Sequence, residues 1–429
     1  MDNHNYDIII IGAGAAGLAA AASASAGNSR VAVLEKMPRP ARKVMITGKG
    51  RCNFTNMKSW AEFSEHLHPK AAFAKHSFYA LTPENLVELF KENGLESVVE
   101  RGDRVFPSSG KACDVVDTLV RTASSADLFC SKEVDGIQRE NDVFVLTCKD
   151  GSRWTCTRLI VTTGGLSYPL TGSTGDGYRW ASALGHTVRP QLPSLTAIVP
   201  KGYKDGSGHI SRETPLSEYG RMLNGISLKN ISLTLMIDGN PAQEEFGDID
   251  FTDGGLEGPI GFKISRRCVS AISSGSKVGI IIDLKPAVSA ESLQSRISAL
   301  FDEISKNPKF RNRHYRDRLL VLLGRLMPSA LVKPFLADFP GTDHKRLSRD
   351  LKNWRMDISG YVGYERCVVT NGGVSLEEVN SKTLESKLVP GLYFAGEVLD
   401  LDADTGGYNL HFAFSSGHLA GLSAAKSLW

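Results

Sequence analysis

Hydrophobic and polar positions follow three rhythms along the chain, each predicting a different element. Ile8-Ile9-Ile10-Ile11 is a short, unbroken run of β-branched residues, the pattern of a strand covered on both faces in a parallel sheet. Glycines and then alanines follow up to Ala26, which predicts a tight turn and a helix. Val31-Ala32-Val33-Leu34, Arg158 to Val161 and Leu392-Tyr393-Phe394 are further apolar runs that end against glycine or an acid. From 195 to 283, runs such as Ile226 to Ile237 and Val278 to Leu284 predict antiparallel strands. Ile297, Leu300, Phe301 and Ile304 then recur at helical spacing, and 319–326 and 330–336 continue in that style.

The first turn carries chemistry. Gly12-Ala13-Gly14-Ala15-Ala16-Gly17 is G-x-G-x-x-G between a strand and a helix. The first glycine permits the turn, the second lets a pyrophosphate reach the backbone, and the third lets helix and strand pack closely. Free N–H groups of the helix start, including those of Ala15 and Ala16, then face phosphate. Glu35, at the end of the second strand, is placed to accept hydrogen bonds from ribose hydroxyls, with Lys36 beside it. The expectation is an α/β chain with a Rossmann-like dinucleotide-binding domain.

Segments beyond Glu35 point to FAD. Lys43 to Asn56 is a polar, glycine-punctuated loop where a plain Rossmann unit would begin another crossover. It predicts Lys43 and Arg51 near phosphates and Asn53 hydrogen-bonding a ring, with Gly50 and Cys52 as further cofactor contacts; a solvated basic loop is the alternative. Thr163-Gly164-Gly165 ends a strand expected to return beneath the cofactor, and Gly396-Glu397 repeats that ending. Gly407-Tyr408-Asn409-Leu410 opens a last helix whose free N–H groups and dipole would stabilise an anionic reduced flavin. Val134 is counted as one more cofactor contact.

Composition sharpens this picture. Forty-two glycines in 429 residues is a mild excess, and it collects where these strands end. Net charge is +3, with 50 basic and 47 acidic residues read as interspersed rather than gathered into blocks, so no nucleic-acid partner is expected. Seven scattered cysteines without C-x-x-C argue for a reducing cytoplasm and against a disulfide scaffold or zinc ribbon. The uncharged stretch from Ile8 to Ala26 imitates a membrane span, but the acidic lead-in Met1 to Asp7 and the glycine break predict no targeting or membrane segment. Asp400 to Gly406 imitates a calcium loop with its glycine one place late and His411 at the twelfth position, so no metal is expected. His66 and His68 are expected at the surface.

Taken together, GAGAAG at Gly12, TGKGRCNFTN from Thr47, TTGGLSYPLTGSTGDGY from Thr162, VVTNGGV from Val368 and FAGEVLDLDADTGGYNLHFAFSSG from Phe394 resemble, over the whole chain, a family of bacterial flavoproteins. These are the NAD(P)/FAD-dependent oxidoreductases of the aminoacetone oxidase and 3-dehydro-bile-acid reductase type. The resemblance implies one non-covalent FAD, a two-dinucleotide-binding fold, and an inserted antiparallel β-barrel-like domain with a helical subdomain. Expected boundaries are 1–190 with 365–429 for the FAD domain, 191–286 with 346–364 for the β-rich domain, and 287–345 for the helices. Three positions depart from the family pattern: Asp253 replaces a histidine and Glu257 a serine in Phe251 to Pro259, and His411 replaces a glutamine.

The expected activity is hydride transfer through FAD to a small enone-like or amino-ketone substrate, with NADH or NADPH as transient donor. The reactive face is expected between the domains. His411, Asp253 and Tyr168 are the candidate proton carriers, against plainer roles for His411 in packing and Asp253 in a turn. Cys52 could react with a flavin, but without a partner cysteine a buried structural thiol is the favoured reading. The alternatives are an RNA-modifying flavoenzyme and a non-catalytic electron carrier. Oligomeric state is not legible.

Overall fold

A computed structural model describes residues 3–428; Met1 and Asp2 of the polar lead-in, and Trp429, lie outside them. The chain forms two compact units, one running to Leu192 and resuming at Val368, the other spanning Pro193–Cys367.

In the first unit, strand β1 (Asn3–Ile11) lies between β2 (Val31–Leu34) and β3 (Arg153–Val161), parallel to both. Ile8, Ile9 and Ile10 are completely buried, as a strand covered on both faces requires. β3 changes partners along its length. Residues 153–156 pair antiparallel with 144–147, whereas 159–161 run parallel to β4 (Leu392–Phe394). That exchange sets the turn after β3 beside the turn after β4, although they are more than two hundred residues apart in sequence. Helix α1 (Ala15–Ala24) packs on α2 (Tyr408–Lys426) through small residues. A β-carbon on Gly417 would lie 2.1 Å from the Ala16 carbonyl oxygen, and one on Gly421 2.3 Å from that of Ala20. The uncharged N-terminal stretch is therefore β1 and α1, and no helix among the described residues is long and apolar enough to cross a membrane.

The second unit contains the antiparallel barrel. Six strands, Ile198–Pro200, Gly255–Glu257, Asn240–Thr252, Ser227–Ile237, Val278–Asp283 and Trp354–Val362, pair in that order, and the last pairs back with the first. The helices Ala290–Lys306, Tyr315–Leu326 and Ser329–Asp338 turn Ile297, Phe301, Leu322, Leu331 and Phe335 into the same buried cluster as Ile282 and Trp354 of the barrel. Barrel and helices thus share one core.

Candidate dinucleotide site

The glycines after β1 divide their work as the motif demands. Gly12 has φ +99°, and a β-carbon there would meet the Thr162 carbonyl oxygen at 2.8 Å. Gly17 has no room at all, with the Gly12 carbonyl oxygen 1.8 Å from its would-be β-carbon. At Gly14, a β-carbon would meet nothing within 4 Å, and the residue faces a cavity. An empty cradle at the second glycine, walled by immovable backbone at the first and third, is what an approaching pyrophosphate needs.

That cavity encloses about 1310 Å³, counting the space open at its mouth. All of its walls belong to the first unit. At one end, the Glu35 carboxylate accepts hydrogen bonds from the N–H groups of Ala13 and Met37, each 2.8 Å long. Burial pushes its pKa up, and the two N–H donors pull it back. Elsewhere on the wall Glu397 accepts from Lys43 Nζ at 2.7 Å, Ser167 Oγ at 2.8 Å and the Thr370 N–H at 2.8 Å. Thr163, Gly164 and Gly396 complete the floor where β3 and β4 end. Leu410 and Ala413 bring the first turns of α2 to the same space. Gly12, Ala15, Ala16, Lys36, Val134 and Asn409 also line it.

A family model described as the HI0933-like protein Rossmann domain matches residues 6–423. The chain belongs to the HI0933-like family. It is 31% identical over 436 aligned residues to the ribosomal RNA dihydrouridine synthase of Escherichia coli K12, spanning 98% of this chain and 99% of that one. To the 3-dehydro-bile acid delta(4,6)-reductase of Clostridium scindens it is 28% identical over 409 residues, 93% and 94% of the two chains. The 3-ketosteroid delta1-dehydrogenase of Sterolibacterium denitrificans shares the fold with a TM-score of 0.50 at 14% identity, over 99% of this chain and 100% of that one. This HI0933-like chain is an FAD-dependent flavoprotein oxidoreductase with a Rossmann FAD-binding domain. The open cradle at Gly14, the carboxylate of Glu35 and the cations around them fit FAD.

Several expected contacts stand elsewhere. Arg51 turns away from the cavity to ion-pair with Glu100, its guanidinium over the Phe106 ring at 4.3 Å. Cys52 is sealed in the core, and burial pushes its thiol up to about 11, so it is a structural thiol. Gly50 and Asn53 do not reach the cavity wall, and the Asn53 side-chain oxygen is enclosed by protein. Gly165 and Gly407 serve packing: their β-carbons would strike Thr370 Oγ1 at 2.4 Å and the Thr55 carbonyl oxygen at 2.4 Å. Tyr408 lies beneath the helix start and stacks on His66, with ring centroids 4.2 Å apart. Asn409 lines the cavity but spends its amide on the backbone of Ala403 and Asp404. His66 and His68 both turn to Asp404, at 2.9 and 3.4 Å, and are only partly exposed.

Two of the three expected proton carriers lose that role. His411 is buried, with Thr55 at 2.9 Å from Nδ1 and the rings of Phe63 and Phe78 around it. Burial pulls its pKa down to about 3, so it is neutral and packed at physiological pH. Asp253 belongs to the second unit and pairs with Arg366 Nη1 at 2.5 Å. Partial burial raises its pKa and the Arg366 hydrogen bond and charge lower it further, leaving a net decrease, so it is an ionised partner rather than an acid. Missed from the sequence were Arg39, Arg42 and Lys132, three more cations on the cavity wall. For Arg39 and Arg42 the signal is the dense Arg39-Pro40-Ala41-Arg42-Lys43 run; Lys132 lies far from it in sequence and has no such local mark.

Glu35→Ala is expected to weaken FAD retention by tenfold to a hundredfold, since hydrogen bonds to a charged acceptor contribute about 1.5–3 kcal/mol. Flavin content of the purified variant measures this, and wild-type content would remove Glu35 from the ribose.

Proposed function

We propose that this chain reduces a carbon–carbon double bond conjugated to a carbonyl, with NADH or NADPH as donor. The observation that carries the redox half is the cavity built on Gly14, Glu35 and Glu397. The substrate half is supported by the relatives. A dihydrouridine synthase saturates the uracil double bond next to a carbonyl, and a delta(4,6)-reductase of a 3-dehydro bile acid saturates a double bond conjugated to the ring ketone. Bound FAD supplies the hydride chemistry such a reduction needs.

The protein must add positioning and one proton. Of the three candidates only Tyr168 is left. It does not line the cavity itself but opens the segment leading to Thr171, Gly172 and Ser173, which do, and its backbone holds φ +53°. Left-handed backbone at a non-glycine residue costs of order 1–3 kcal/mol and concentrates at functional sites.

Anaerobic stopped-flow tests the reading in two halves. NADH or NADPH should bleach the visible flavin absorption, and an enone or a uridine-containing substrate should then restore it. Tyr168→Phe should slow only the second half, by 10²- to 10⁴-fold on the general-acid scale. Failure of both nicotinamides to bleach the flavin would remove the donor, and an unaltered second half in the variant would remove Tyr168.

A further inference from the structure

We infer that the connector between the helices Ala290–Lys306 and Tyr315–Leu326 is a docking surface for RNA. The inference rests on the reductase reading above and names the substrate it acts on. Charges are interspersed over most of the chain, but not here. Residues 306–318 hold Lys306, Lys309, Arg311, Arg313, Arg316 and Arg318 against one acid, Asp317, a formal +5 in thirteen residues. The first five are exposed. Neighbouring Arg325 and Arg349 pair with Glu303 and Asp350, whereas none of those five has a carboxylate partner within 4.0 Å among the described residues.

The fold does not need this charge. The apolar side of the two helices is supplied by Ile297, Phe301, Ile304, Leu319, Leu322 and Leu323. Concentrating unpaired cations on an exposed turn costs stability through mutual repulsion, a cost that an anionic partner would offset. The same end of the helices holds more. Tyr315 Oη lies 2.9 Å from His344 Nδ1 and accepts its backbone N–H at 3.0 Å, and His344 stacks on Phe301 at 4.2 Å. This fastens exposed Lys345, Arg346 and Arg349 to the same region, with Asp343 the acid among them.

Side-chain type favours RNA over a membrane. Arginine outnumbers lysine four to two over residues 306–318, and guanidinium groups bind phosphate in pairs of hydrogen bonds and stack on bases. Aromatic rings are interleaved: Lys309 and Arg313 lie over Phe310 at 5.7 and 5.6 Å, and Tyr315 is 39% exposed. Cations with accessible π-faces are how proteins hold unpaired bases in RNA loops. A bilayer-binding segment would instead present a broad apolar face.

The test uses the full-length, FAD-loaded protein and a fluorescein-labelled stem-loop RNA with uridines in the loop. Arg311→Ala/Arg313→Ala/Arg316→Ala should bind it at least tenfold more weakly at moderate salt. Its slope of log K against log salt should be shallower by about two, at roughly 0.7 per lost single-strand phosphate contact. Flavin content, melting temperature and the rate of bleaching by NADPH should be unchanged. Lys201→Ala/Lys229→Ala/Lys277→Ala, which removes equal charge elsewhere on this unit, should bind as wild type. A loss under threefold, or equal losses in the two triple variants, overturns the inference. So does a wild-type protein that ignores the RNA but sediments with phosphatidylglycerol vesicles through this segment. Mass spectrometry of the RNA after reaction separates the two readings. Binding lost in the variant without any gain of two hydrogens by the wild type leaves the docking surface standing and removes the reductase reading. RNA reduced equally well by the variant does the reverse.

Discussion

Gly14→Val is expected to fold normally and purify colourless. The backbone at Gly14 is ordinary extended chain, φ −80° and ψ −167°, so any residue can adopt it. Its β-carbon would meet no protein atom within 4 Å, so the native fold has nothing to lose. What it would meet is the ligand, because Gly14 lines the cavity directly before the first free N–H groups of α1. A branched side chain there should cost FAD about 3 kcal/mol or more, over a hundredfold in Kd. Gly17→Val gives the contrast, since the Gly12 carbonyl oxygen sits 1.8 Å from its would-be β-carbon and the variant should fail to fold. Visible flavin absorption relative to protein, read beside the circular dichroism melt, checks both. A yellow Gly14→Val protein would move the pyrophosphate elsewhere.

Features fixed by consecutive residues were legible in the sequence. The turn at Gly12 to Gly17 and the acid at Glu35 are dictated by a strand, a turn and a helix that meet locally, and the structure places them on one cavity. Glu397 was legible for the same reason, because its strand ends in glycine and acid like the others. Features that depend on distant partners were not. Arg51 looked like a phosphate ligand because Glu100, forty-nine residues on, is invisible to local pattern. His411 could not be separated from its neighbours Leu410 and Ala413, because α2 is buried on more than one side. Leu410 faces the cavity while His411 faces Thr55 and Phe63. Helical periodicity marks a buried position without saying what it is buried against. The basic connector was in plain sight, and whole-chain charge averaging hid it.

Arg366→Ala is expected to destabilise the second unit by about 3 kcal/mol, and the reason explains two departures from the family pattern. Asp253 and Glu257 stand where histidine and serine are usual, and both grip Arg366, Asp253 at Nη1 and Glu257 at Nε, 2.5 and 2.7 Å away. The substitutions are thus one structural clamp rather than two changes of chemistry. Glu257 is 13% exposed, so removing the guanidinium strands a largely buried carboxylate, and that stranded charge is the main cost. Asp253, 56% exposed, adds little. For a unit of this size the melting temperature should fall by roughly 6–12 °C. Adding Glu257→Ser and Asp253→His to Arg366→Ala should recover more than half of the loss, because the uncompensated charges leave with their partner. The pH dependence has a definite sign. The folded-state pKa of Asp253 is depressed, so its contribution is complete above the ordinary aspartate range and is lost as pH falls through the folded value. The gap between wild type and Arg366→Ala should therefore hold at neutral pH and lose only the small share due to Asp253 from near pH 4 downward, at about the unperturbed aspartate pKa. Thermal melts across that range measure it. A triple variant no more stable than Arg366→Ala alone would mean that Arg366 acts through packing and not through the two carboxylates.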